Sequence, residues 1–133
     1  MKIEPTNDYD LIARLCGEDA QYLPPKELWD TAQGITVLVA SDEGAPKMLA
    51  VLLEHGETGE PEVHIQPPPE PWKGTIKACG EFKQWILRNR TWKQVWSWTS
   101  ASDTRTFQFA KHLGFEEAFD QGERKFIVLN LNN

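Results

Sequence analysis

Apolar and polar positions along this chain fall into short runs of two periods, and the two kinds of run alternate. Residues 35–40 (Ile-Thr-Val-Leu-Val-Ala) are apolar and β-branched and read as a buried strand. Residues 48–54 read as the returning strand, across turn-forming residues 41–46. Residues 62–66 alternate, with Val63 and Ile65 on one face and Glu62, His64 and Gln66 on the other. Trp96 and Trp98 alternate with small residues in a strand over 94–99. Weaker strand patterns cover 1–5, 116–119 and 125–131, the last two joined by a turn at 120–123.

Helical spacing appears four times. Leu11, Ile12 and Leu15 share a face within 8–16, with Thr6 or Asn7 as cap and Gly17 as stop. Pro24-Pro25 opens a second short helix that runs through Trp29 to Ala32, and Gly34 closes it. Cys79, Phe82, Trp85 and Ile86 mark a helix from Gly74 or Thr75 to Asn89. Phe107, Ala110 and Leu113 mark the last one. Ser102 can cap it, Asp103 sits in its first turn, Gly114 can take the left-handed stop, and Phe115 can fold back. Between strand 62–66 and the third helix, Pro67-Pro68-Pro69-Glu70-Pro71 cannot continue a sheet, because proline lacks the ladder donor.

The predicted order is β-α-α-β-β-β-α-β-α-β-β. The strand–helix–strand unit over 62–99 implies a parallel, right-handed crossover, and the hairpins imply antiparallel neighbours. The expected architecture is a mixed α/β sheet with helices on both faces. A chain of 133 residues without a linker-like stretch reads as a single domain, 1–133.

Composition narrows the classes. A net charge of −6 argues against general nucleic-acid binding and against an anionic membrane surface. The run Lys73, Lys77, Lys83, Arg88, Arg90 and Lys93 is locally basic and is read first as a solvated helix face. Cys16 and Cys79 are far apart and form no metal or redox spacing, so no metal site is expected and a reducing, cytoplasmic setting is. The start, Met1-Lys2-Ile3-Glu4-Pro5, lacks the apolar region of a signal peptide, and no apolar run reaches membrane-span length. Five of the six tryptophans, Trp72, Trp85, Trp92, Trp96 and Trp98, crowd into one stretch, where a core or cleft is expected.

This order, the helix that follows the proline loop, and the closing helix Asp103–Phe115 with its Ala-Lys-His-Leu-Gly-Phe end resemble the GCN5-related N-acetyltransferase (GNAT) superfamily. The likeness covers nearly the whole chain, and its best local match is the Leu-Gly-Phe ending. The chain also resembles small proteins of similar build encoded by short-tailed bacteriophages, some of them virion-associated, which share a Trp-rich strand.

The first resemblance implies an acetyl-CoA-dependent acetyltransferase acting on an amine, carried by a small molecule or a protein. It implies that the fourth and fifth strands splay apart and that the acetyl-pantetheine arm pairs with the backbone of the fourth, here His64, Ile65 and Gln66. It places the pyrophosphate at the next helix start, here Lys73, Gly74, Thr75 and Lys77, where unpaired N–H groups favour anions. The family's Arg/Gln-x-x-Gly-x-Gly/Ala pattern is only partly kept, since Ile76 stands where a glycine belongs. Asp103 replaces the family's asparagine near the cofactor, and Ala110 stands at the position of its general-acid tyrosine. A general base can come from Glu62 or His64, although the sequence pairs neither with a group that would set its protonation. Read without the family, His64 is a partly buried histidine bonded to backbone, and Glu62 a solvated strand-end carboxylate. The phage likeness implies instead a catalytically silent protein that binds a virion or host protein. The final apolar strand, 126–131, could also pair across a homodimer.

Overall fold

A computed structural model describes residues 1–16 and 26–131. The elements are β1 (Lys2–Thr6), α1 (Tyr9–Cys16), a 3-10 helix (Lys26–Thr31), β2 (Ile35–Asp42), β3 (Ala45–Leu53), β4 (Glu62–Gln66), α2 (Thr75–Asn89), β5 (Gln94–Ser100), α3 (Thr104–His112), β6 (Glu116–Gln121) and β7 (Arg124–Asn130). The strands form one seven-stranded sheet in the order β1-β2-β3-β4-β5-β7-β6, and only β4 and β5 run parallel. This is the mixed α/β sheet expected from the sequence.

Each face of the sheet buries its own core. Leu38, Ala40, Met48, Leu52 and Val63 lie against Cys79, Phe82 and Ile86 of α2 and Ala110 of α3. On the other face Val37, Val39, Leu49 and Val51 lie against Ile12, Leu15 and Cys16 of α1. Central strands buried on both faces explain why β2 and β3 read as continuous apolar runs rather than alternating ones.

Turns are tighter than the composition suggests. The stretch 41–46 does not form a loop, because β2 and β3 run on to Asp42 and Ala45 around Glu43-Gly44. Both turn residues have positive φ, 52° and 81°, the geometry a two-residue hairpin needs. The sixth strand likewise continues past Phe119 to Gln121.

Caps also move by one residue. Asp8, rather than Thr6 or Asn7, receives the Leu11 N–H at the start of α1. Asp103, rather than Ser102, is the N-cap of α3, accepting the Thr106 N–H. In both places a carboxylate won the position, which the helix dipole favours. At the other end of α3, Gly114 has φ 101°, Phe115 N–H reaches Ala110 O and Gly114 N–H reaches Lys111 O. These two bonds make the Schellman closure that the Leu-Gly-Phe ending implied. Gly17 and Pro24-Pro25, read as helix boundaries, lie outside the described residues.

The last strand cannot serve as a dimer edge as expected. β7 is paired on both sides, by β5 and by β6. The open edges are β1 and β6, and β6 carries Glu116, Glu117 and Asp120, charges that oppose strand addition. No helix among the described residues is long and apolar enough to cross a membrane.

Arg90, read from sequence as part of a solvated basic face, instead fastens α2 to the sheet. Its guanidinium packs on the Trp85 and Trp92 rings and bonds Glu54 Oε1 at 3.1 Å and Thr36 Oγ1 at 3.2 Å. Cation–ring contact and a charge-assisted bond acting together justify an expected loss of about 2 kcal/mol in Arg90→Ala. Urea unfolding midpoints check this, and Arg90→Lys should recover less than half, because an ammonium cannot lie flat on two rings.

Candidate active site

The site begins where the sheet opens. β4 and β5 share one register pair, Glu62↔Trp96, fixed by the Trp96 N–H donating to Pro61 O at 2.8 Å. Beyond it the strands part, as the GNAT resemblance implied. Because the backbone alternates with a period of two, the carbonyl of Pro61 directed at β5 means that Val63 and Ile65 direct theirs the same way, while Glu62, His64 and Gln66 bond β3. Ile65 therefore presents its N–H and C=O to the opening. A cleft of about 600 Å³ fills the gap, lined in part by His64, Gln66, Thr75, Trp98, Asp103 and Ala110. A second, apolar cavity of about 260 Å³ lies between α2 and α3, lined by Ile65, Ile76, Cys79 and Leu113 among others.

Glu62 and His64 share the β4 face that the alternation assigned them, and the structure makes them a pair. Glu62 is 1% exposed and His64 6%. His64 Nε2 lies 2.6 Å from Glu62 Oε2, and Glu62 Oε1 accepts the Glu57 N–H at 3.1 Å. This overturns the bland sequence reading of Glu62. Glu62 is not a solvated strand-end carboxylate, and each residue is the partner that the other lacked in sequence. Gly56 makes the burial possible, since a Cβ there would lie 2.5 Å from Glu62 Cβ and 2.6 Å from its Oε1. Burial opposes ionisation of Glu62, but the His64 bond and charge, the Glu57 amide and the nearby Arg124 outweigh it, and the carboxyl is held below its usual range. An ionised carboxylate only accepts, so His64 Nε2–H is the donor in this bond.

His64 also meets Trp98 edge-on, with ring centroids 5.4 Å apart. Arg124 stacks on Trp98 at 4.0 Å and pairs with Glu57. The loop bearing Glu57 and the turn before β7 are thereby tied to the Glu62–His64 pair. Sequence reasoning missed Gly56, Glu57, Trp98 and Arg124 as site residues. The one available signal was the tryptophan alternation in β5, which placed Trp98 in a strand without saying which side chain it would meet.

The residues read as cofactor contacts are spread along the same opening. Ile65 offers backbone, while the side chain of Gln66 donates to Cys16 O at 3.0 Å and so ties β4 to the end of α1. Lys73 and Lys77 are exposed. Thr75 Oγ1 donates to Trp72 O at 2.7 Å. Gly74 is the N-cap of α2, and a Cβ on it would lie 2.4 Å from Trp72 Cζ2, so its small size first of all admits the Trp72 ring. The N–H groups of Ile76 and Lys77, in the first turn of α2, have no partner within the helix, as at any helix start. Asp103 lies at the rim, with both carboxylate oxygens engaged by Thr106. Those bonds hold it below its usual range, so it is a negative charge at the cleft. Ala110 leaves no hydroxyl at its position on α3.

Neither thiol is a nucleophile in waiting. Burial pushes Cys16 up to about 11 and Cys79 up to about 12. Among the described residues no group of three His, Cys, Asp or Glu side chains could hold a metal ion.

No protein-family model matches the sequence, and no curated protein matches it either. Solved structures do match. The N-acetyltransferase PseH of Campylobacter jejuni superposes with a TM-score of 0.76 at 7% identity, covering 97% of this chain and 96% of that one. Its complex with acetyl coenzyme A superposes with a TM-score of 0.69 at 7% identity, covering 97% and 99%. A chimera of the Vibrio cholerae spermidine N-acetyltransferase SpeG and hSSAT gives 0.75 at 13% identity, covering 98% and 95%. At such identities the likeness shows the fold: this chain has the GNAT fold over essentially its full length. None of the three is a bacteriophage protein, and the phage likeness gains no support from them.

The buried pair sets an acid limit. Because Glu62 is held below its usual value of 4.5 when folded, the stability it contributes is complete above about that pH and is lost as pH falls through the lower folded value. Melting temperature should therefore fall more steeply from about pH 5 to about pH 3 in the wild type than in Glu62→Gln. At pH near 7 the same substitution should cost roughly 2 kcal/mol through the weakened His64 and Glu57 bonds. Parallel pH slopes in the two proteins would remove Glu62 from the account.

Proposed function

We propose that this protein is an N-acetyltransferase that moves the acetyl group of acetyl-CoA to an amine. The observation that carries the reading is the single-pair junction of β4 and β5, which leaves an edge of backbone facing a cleft of about 600 Å³ beside a buried Glu–His pair. The named neighbours are amine acetyltransferases in two cases and bind acetyl coenzyme A in one, which supports the same direction.

The residues present fit the cofactor. The N–H and C=O of Ile65 suit the amide-rich pantetheine arm, and the apolar cavity between α2 and α3 suits its aliphatic parts. The unpartnered N–H groups of Ile76 and Lys77, with the exposed Lys73 and Lys77 ammonium groups, suit the pyrophosphate. The exposed Ile76 and the charge of Asp103 weaken that end of the site relative to a glycine-rich loop, and the small size of Gly74 and the hydroxyl of Thr75 serve the loop more than the ligand.

When bound, acetyl-CoA supplies an activated acetyl thioester. The chain's own residues do the rest. The Glu62–His64 pair takes a proton from the acceptor ammonium through water. Glu62 holds the ring by Nε2–H and stabilises the imidazolium that results, and the Glu57 amide and Gly56 keep that carboxylate dry. Ala110 provides no acid, so the proton for the leaving group would come from the His64 imidazolium or from solvent.

A second reading is a silent GNAT-fold protein that acts by binding another protein, of the kind the phage likeness suggested. Ala110, Ile76 and Asp103 favour it, because each replaces a group that the chemistry uses.

Thermal shift with acetyl-CoA and CoA separates the two. Ligand at a hundredfold above its dissociation constant should stabilise the fold by roughly 2.7 kcal/mol. No shift at millimolar CoA would sink the transferase reading. In an acetyl-CoA-dependent assay on a panel of amines, His64→Gln should lower kcat by about a hundredfold or more while leaving the CoA dissociation constant within a factor of two.

A further inference from the structure

Trp98 lines the cleft beside His64, and its ring is already in use. The Arg124 guanidinium lies 4.0 Å from the ring centroid and pairs with the Glu57 carboxylate. A π face and a carboxylate converging on one point is the chemistry that recognises an organic cation. The occupant here comes from the chain itself, from the first residue of β7. The half-buried Arg124 side chain lies on the ring, pairs with Glu57, and adds its charge to those that favour the ionised Glu62.

The seat is one ring away from the proposed base. His64 and Trp98 meet with centroids 5.4 Å apart. Glu62 and Glu57 belong to the same network, since the Glu57 backbone N–H bonds Glu62 Oε1. The Trp98 Nε1–H is sealed from solvent without an acceptor, so the free protein leaves a donor unsatisfied on the very ring that Arg124 covers.

We propose that the Trp98–Glu57 seat is the acceptor's cation subsite, and that Arg124 fills it in the free protein as an internal stand-in that a substrate cation displaces. The inference rests on the acetyltransferase reading for the word acceptor, though the seat itself does not. It names a substrate class: amines that carry a second cation, ammonium or guanidinium, a short linker away from the nitrogen that reaches His64. A diamine or a guanidino-amine fits; a monoamine with a neutral tail lacks the second contact. Arg124 then acts as a specificity gate, since a ligand must compete with a tethered guanidinium at high effective concentration.

The test uses N-methylguanidinium, a cation that is not acetylated, with no acetyl-CoA present. Binding is followed by the indole N–H signal of Trp98 in 15N NMR. Arg124→Ala and Arg124→Gln should each bind it about tenfold more tightly than wild type, the worth of one desolvated cation–ring contact. Adding Trp98→Leu to either variant should abolish the gain, and uncharged N-methylurea should bind none of the proteins. Equal affinity in wild type and both Arg124 variants would overturn the proposal, as would a gain that survives loss of Trp98. Both Arg124 variants are included so that a failure of one to fold leaves the other to decide. Failure here leaves CoA binding untouched, whereas failure of CoA to bind would defeat the transferase reading without emptying the seat.

Discussion

The parting of β4 from β5 is the constraint on which the rest of the site depends. A sheet normally satisfies every strand's backbone groups with its neighbours, and an open seam in the middle exposes donors and acceptors. Here the strands join at Glu62↔Trp96, and the opening that follows is kept by what surrounds it. The prolines after Gln66 end β4 and stop it from following β5. Helices α2 and α3 pack across the same face, so the seam can widen without splitting the core. The backbone of Ile65 is left with a free edge in the interior of the fold, which is uncommon outside a ligand site.

The joint itself is loaded with chemistry. Glu62, the β4 partner in the one pair that holds the strands together, is also the carboxylate buried against His64. A buried carboxylate is tolerated only when its oxygens are bonded, and here His64 and the Glu57 amide supply the bonds while Gly56 closes over it. The loop before β4, the strand and the turn before β7 are thus fixed to one another through two acidic side chains, a histidine, an indole and a guanidinium. Disturbing any of them should move the seam as well as the site.

Much of the architecture was legible in the sequence because it depends on local periodicity. The helix over 75–89, the Leu-Gly-Phe closure, the alternation in β4 and the parallel crossover all follow from spacing and turn residues. The losses were of two kinds. Cap and turn boundaries shifted where an aspartate competed with a neighbouring serine or threonine, as at Asp8 and Asp103, and where Glu43-Gly44 made a tighter turn than its surroundings suggested. The pairing of β7 on both edges depended on sheet order, which an apolar strand pattern does not contain.

The site was legible by residue but not by partnership. Glu62 and His64 were marked by their shared face, yet the bond between them depends on rotamers and on Gly56 several residues upstream. Arg124 and Glu57 are 67 residues apart and meet only because the fold brings β7 beside β5. Gly74 was read for a phosphate and is first required by the Trp72 ring. The most direct check is therefore on the backbone itself: 15N-labelled protein titrated with CoA, read at the amides. The account expects perturbation and slowed exchange at Ile65, Ile76 and Lys77. An unchanged spectrum at these three amides, with or without changes elsewhere, would contradict it.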